Sequence, residues 1–91
     1  MQTQTTVVIH GQGNQGTFSA SESGCAPSSF TATSENPGNV SVSANDGTGT
    51  FTVTAIAAPV ANNNLVDVTD CHGFTTTKTT TPPSVKVQIV N

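Results

Sequence analysis

The strongest constraint in this chain is a period of two. Apolar residues take every second position in six separate stretches: Phe18 and Ala20 in GTFSAS, Phe30 and Ala32 in SFTATS, Val40 and Val42 in NVSVS, Phe51, Val53 and Ala55 in TFTVTAI, Val66 and Val68 in LVDVTD, and Val85, Val87 and Ile89 in SVKVQIV. Successive side chains of a strand point to opposite faces, so this spacing describes strands with one face buried and the other in water. No window shows the i, i+3, i+4 spacing of an amphipathic helix, and the abundant Thr and Val, stiff at χ1, favour extended backbone. A composition this rich in Ser and Thr also suits disorder, but disordered chains carry no such alternation.

Turn signals separate the stretches. ENPGN places Pro37 and Gly38 as the central pair of a type II turn, with positive φ at the glycine, and NDGTG places Asp46-Gly47 at a hairpin. Together they flank residues 39–44 and predict a meander. About seven to eight short strands, recurring roughly every ten residues, call for two antiparallel sheets packed face to face, because each sheet must hide one apolar face. The expected core is Phe18, Phe30, Phe51, Val53, Val66, Val68, Val85 and Val87. At 91 residues the whole chain, 1–91, reads as one domain, since a chain this short buries only about 60–65% of its unfolded surface and cannot divide its core. Trp and Tyr are absent, so four phenylalanines supply most of the large-side-chain burial, each contributing about 1.5–3 kcal/mol.

Charge excludes several partner classes. Lys78 and Lys86 are the only basic side chains, against Glu22, Glu35, Asp46, Asp67 and Asp70. Binding nucleic acid requires clustered Lys or Arg to displace counterions from phosphate, and two lysines do not provide it. The longest apolar run, AIAAPVA, contains a proline and is far short of the roughly 20 residues of a membrane helix, so no membrane insertion is expected. MQTQTT carries neither the basic nor the apolar region of a signal peptide, so secretion rests on the chain being already processed.

Four segments carry a resemblance, in order along the chain: GTFSAS at 16–21, TATSENPG at 31–38, GTFTVTAIAA at 49–58 and VTDCHG at 68–73. They resemble the strand-and-turn patterns of bacterial immunoglobulin-like (Big-type) domains, which occur in tandem in surface proteins, adhesins and some phage structural proteins. The likeness covers residues 16 to about 80 and implies an all-β, antiparallel immunoglobulin-like sandwich. It also implies a non-catalytic structural role in an extracellular fibre or adhesin, with neighbouring domains of the same type, or self-association, as partners. A phage or virion decoration domain and a carbohydrate-binding accessory module are the alternatives. The second would take a surface glycan, although Trp and Tyr, the usual sugar platforms, are missing. Two departures from the pattern stand out. PVANNN at 59–64 reads as a longer loop, and an additional PPSVKVQIVN follows FTTTKTTT.

Laid on that fold, Cys25 and Cys71 fall in loops at the same end of the sandwich, and a disulfide between them is expected. Such a bond implies an oxidising compartment, extracellular or at the cell surface. The rival roles for Cys71 are weaker. A Cys71–His72 dyad would sit on a strand end where neighbouring side chains diverge, and a zinc site from Cys25, Cys71, His72 and His10 or Asp70 lacks the ligand spacings of structural zinc. Neither a metal nor any other cofactor is expected. No nucleophile elbow appears, the acids are scattered, and Asp67 reads as solvated. His10 ends a first strand in a solvent-facing turn. Lys78 and Lys86 are the only donors for a lysine–asparagine cross-link, and both point outward. TTTKTTT at 75–81 reads as an exposed strand, and NVS makes Asn39 a candidate N-glycosylation site. After Pro82-Pro83, residues 82–91 form an extra strand with three candidate homes: this domain, a following repeat, or the open edge of a neighbouring subunit. In the last case Val85, Val87 and Ile89 would be the strand-exchange segment.

Overall fold

The computed structural model describes residues 1–60 and 64–91. Among the described residues there are eight strands, β1 (Gln2–Thr3), β2 (Thr6–His10), β3 (Gln15–Ser21), β4 (Thr31–Ser34), β5 (Val40–Val42), β6 (Thr50–Ala55), β7 (Val60–Thr69) and β8 (Val85–Val90), with one short 3-10 turn at Pro27–Ser29. They make two four-stranded sheets, ordered β1-β3-β6-β5 and β2-β8-β7-β4. The sheets pack face to face as a sandwich measuring 39 × 26 × 17 Å.

The period of two does what it predicts. In β6 burial alternates so that Phe51, Val53 and Ala55 point inward, and in β8 Val85, Val87 and Ile89 do the same. All eight expected core residues are buried, joined by Val7, Ile9, Ala20, Val40, Ala55 and Ile89. Phe18 and Phe51 sit directly opposite each other on β3 and β6, and their rings stack at 5.2 Å between centroids. A cross-strand aromatic pair of this type adds about 0.5–1.5 kcal/mol beyond area burial.

The layout departs from the sequence reading in several places. The first sheet is antiparallel throughout, but β2 runs parallel to β8, with Val7 opposite Val87 and Ile9 opposite Ile89, so the second sheet is mixed. The chain changes sheet between β1 and β2. No meander forms around residues 39–44, because β4 pairs with β7 in one sheet and β5 with β6 in the other. The Pro37-Gly38 turn therefore carries the chain across the sandwich. It is not type II: Gly38 is absent from the positive-φ glycines. The Asn36 carbonyl instead accepts the N–H of both Asn39 and Val40 at 2.9 Å, a helical winding that positive φ at Gly38 would undo. The Asp46-Gly47 signal does lie in the β5–β6 hairpin.

TTTKTTT is not a strand. Apart from an isolated bridge between Thr69 and Thr75, residues 75–81 form turns held by their own hydroxyls. Thr77 N–H donates to Thr80 Oγ1 at 2.8 Å, and Thr80 Oγ1 donates to Pro82 O at 2.8 Å. Threonine hydroxyls so close to the backbone compete with a ladder, and here they win. The long loop expected at 59–64 falls mainly on 61–63, outside the described residues. At its flanks Val60 faces Ile89 and Asn64 faces Val87, with a register shift between them.

Of residues 82–91, Val85–Val90 form β8 within the sheet of this chain. β8 lies between β2 and β7, and Val85, Val87 and Ile89 are at most 1% exposed.

Gly49 illustrates how tightly the hairpin seats. It is buried with φ of +88°, and a Cβ there would lie 2.7 Å from the Ala20 carbonyl oxygen. Gly49→Ala is expected to cost at least about 2 kcal/mol through strain and displaced backbone, seen as a lower urea midpoint. Gly47→Ala, with φ of +98° and open space around it, is the control. Equal losses at the two positions would show that the close approach to Ala20 is not what matters.

Candidate functional site

Polar and sulfur chemistry concentrates at one end of the sandwich, where the β3–β4 connection meets the turn after β7. Cys25 and Cys71 form a disulfide there, 46 positions apart in sequence and with Cα atoms 5.6 Å apart. The bond suggests an oxidising environment outside the cytoplasm. Among the described residues no helix is long and apolar enough to cross a membrane.

The TDCHGF turn is closed by Asp70. Its Oδ1 accepts the N–H of His72 and of Phe74, each at 2.9 Å, and the side chain is 4% exposed. Burial works against its charge, but a hydrogen bond shared with the Glu22 carboxyl, the Phe74 and His72 amides that donate to it and the adjacent His72 imidazole outweigh this and hold its pKa below the usual 3.8. The folded state therefore binds that proton less tightly than the unfolded chain. Its contribution is complete above pH 3.8 and fades as pH falls through the depressed value. Asp70→Asn is expected to flatten the acid limb of the melting temperature between about pH 2 and 4. A variant with the same acid slope as the parent would remove Asp70 from the account.

His72 is the meeting point of the cluster. Its Nδ1 lies 3.0 Å from Glu22 Oε2 and 3.9 Å from Asp70 Oδ2. The same nitrogen is 3.6 Å from the Sγ of Cys25 and 3.6 Å from that of Cys71. Glu22 Oε1 is also 3.4 Å from the Met1 nitrogen. Thus Cys71 and His72 do not diverge, as a strand end would make them, because the backbone here turns. Glu22, Asp70 and His72 bring their ligand atoms within 4.8 Å of one another, as do Cys25, Cys71 and His72. In the oxidised protein both sulfurs are spent in the disulfide. That leaves two carboxylates and an imidazole as free donors.

Asn45 locks the neighbouring loops. Its Nδ2 donates to the carbonyls of Pro27 at 2.8 Å and Phe30 at 3.0 Å, and its Oδ1 accepts the N–H of Gly47 at 2.8 Å and Gly49 at 3.0 Å. Its role is not visible in the apolar alternation. The one available signal was an Asn immediately before Asp-Gly, a residue that caps turns through its side chain.

A second polar network lies along β7, where residue 76 and the segment before β8 meet it. Ser84 Oγ donates to Asp67 Oδ1 at 2.5 Å and is 3.0 Å from Thr76 Oγ1, which accepts the Val68 N–H at 2.9 Å. Glu35, brought beside Asp67 by the β4–β7 register, shares a hydrogen bond with it. That bond, then burial, then the nearby negative charge raise the Glu35 pKa above 4.5. The acids are thus not scattered in space, and Asp67 is half-buried and hydrogen-bonded rather than solvated. Strand register creates these pairs, and register is invisible in residue order.

The remaining candidates are apart from both clusters. Asn39 is half-buried, and its Nδ2, the atom a glycan would modify, donates to Asn64 Oδ1 at 3.1 Å. Asn64 is 2% exposed. His10 is exposed at the end of β2, with Nδ1 3.1 Å from Asn91 O. Lys78 and Lys86 are exposed. No protein-family model matches this chain, and neither does any curated protein sequence.

Proposed function

We propose that this chain is a non-catalytic, immunoglobulin-like building block of an extracellular fibre or adhesin stalk, joined end to end to copies of itself or to similar domains. The observation that carries the reading is polar placement of its two ends. Met1 lies beside Glu22 at the disulfide end. Asn91 lies beside His10, where β8 finishes opposite the start of β7. Units arranged this way stack along the 39 Å axis, as a load-bearing module requires.

Three further features support it. The order β1-β3-β6-β5 and β2-β8-β7-β4 corresponds to the ABED and CFG sheets of the immunoglobulin fold, with β1 and β2 as the two halves of a divided first strand. The disulfide braces one end and suits an oxidising exterior. Phe74, 39% exposed in the disulfide-end turn, and Ile56, 44% exposed just after β6, offer apolar contacts toward opposite ends. Because β8 fills its own domain, end contacts are a better joint than strand exchange.

Negative-stain images of native material are expected to show rods with an axial repeat near 39 Å. Phe74→Lys and Ile56→Lys are each expected to weaken association in sedimentation, leaving the core intact. Monomers at every accessible concentration, or a closed shell, would end this reading. A closed shell would favour a virion decoration role instead.

A further inference from the structure

We infer that reduction of the Cys25–Cys71 disulfide opens a zinc site made by the two released thiolates, the Nδ1 of His72 and a carboxylate oxygen of Glu22. The site goes beyond the structural role and does not depend on it.

The argument rests on distances. In a tetrahedral site with Zn–S near 2.3 Å and Zn–N and Zn–O near 2.0–2.2 Å, neighbouring ligand atoms lie about 3.6 Å apart for sulfur and nitrogen, about 3.6 Å for sulfur and oxygen, about 3.4 Å for nitrogen and oxygen, and about 3.8 Å for two sulfurs. Here Nδ1 is 3.6 Å from each sulfur, Glu22 Oε2 is 3.8 Å from Cys25 Sγ, and Oε2 is 3.0 Å from Nδ1. Those four separations already stand within about 0.4 Å of tetrahedral zinc. The two remaining edges, to Cys25 Sγ and to Glu22, both involve Cys71 Sγ, and reduction frees that sulfur to move away from Cys25 and take its place in the tetrahedron.

The surroundings suit a metal. Asp70 fixes the turn that carries Cys71 and His72 by accepting two of its amides, the kind of outer support that orients ligands. Glu22 is 17% and His72 61% exposed on their side chains, so an ion can enter. Glu22 also lines an open surface depression of about 470 Å³ with Met1, Gln2, Ser21 and Ser23.

The chemistry balances with a dithiol as reductant. Two electrons and two protons pass from the dithiol to the S–S bond, giving two cysteine thiols and the oxidised dithiol. Zinc then displaces both thiol protons as it binds. One pair of loops would thus be clamped in either redox state, by a covalent bond when oxidised and by a metal when reduced.

The test titrates Zn²⁺ and Co²⁺ into the full chain, oxidised and after reduction with a phosphine that is then removed. The reduced protein is expected to bind one ion per chain at least about 100-fold more tightly than the oxidised protein. It should also show thiolate-to-cobalt charge transfer with tetrahedral cobalt absorption. His72→Ala and Glu22→Gln, which leave the disulfide in place, are each expected to weaken the reduced protein's affinity by more than about tenfold, the scale on which even outer partners of metal ligands act. Equal affinity in the two redox states would overturn the site, placing any ion on Glu22, Asp70 and His72 instead. Affinity unchanged in both variants would also overturn it, as would a reduced chain that unfolds and does not refold on adding zinc.

Discussion

Replacing Cys25 and Cys71 together by serine is expected to remove about 4 kcal/mol of stability in the absence of metal. The pair closes a loop spanning 46 positions of sequence, and the chain-entropy cost of leaving such a loop open in the unfolded state is about 4 kcal/mol. A domain of this length holds roughly 5–14 kcal/mol in total, so this one bond is a large share of what keeps it folded. The melting temperature should fall by roughly 15–30 °C. Denaturant unfolding with a chelator present, comparing the double variant with the oxidised parent, measures it. A loss below about 1 kcal/mol would mean that the Asp70 and Asn45 networks already hold this end, leaving the disulfide little unfolded-state freedom to remove.

Phe51→Ala is expected to cost about 3–5 kcal/mol. Its side chain is fully buried and stacks on Phe18, and no neighbouring aromatic can fill the space, because Trp and Tyr are absent and the other phenylalanines hold their own places. Phe51→Leu keeps much of the volume and should lose less than half as much. Urea midpoints at unchanged slope check both. A Phe51→Ala variant that unfolds no earlier than the leucine one would show that the core closes over the cavity, against the rigid packing described above.

The two substitutions touch what was legible to very different degrees. Phe51 could be placed inside from TFTVT alone, because side-chain direction in a strand depends only on position along it. The partner of Cys25 follows once the strands are laid on a sandwich, since loops at a shared end bring distant residues together. The surroundings of Asp67 are hidden in residue order for the complementary reason. Alternation correctly turned it away from the core, but the solvent side is where Glu35 from β4 and Ser84 from the segment before β8 close over it. The threonines of 75–81 misled in the other direction. Their preference for strands is a preference for a ladder partner, and local hydroxyl bonds took that place.

Residue order by itself determined the inward faces of the alternating strands and the turns at Pro37-Gly38 and Asp46-Gly47. These follow from local geometry, which repeats every two residues and needs no knowledge of neighbours. Tertiary structure decided which strands share a sheet, that β2 runs parallel to β8, that the Pro37-Gly38 turn crosses between layers, and that Glu22 and His72 meet beside two sulfurs. Each of these is a contact between positions far apart in sequence, and such contacts are chosen by the packing of the whole core, where two sheets have to bury one face each at the same time.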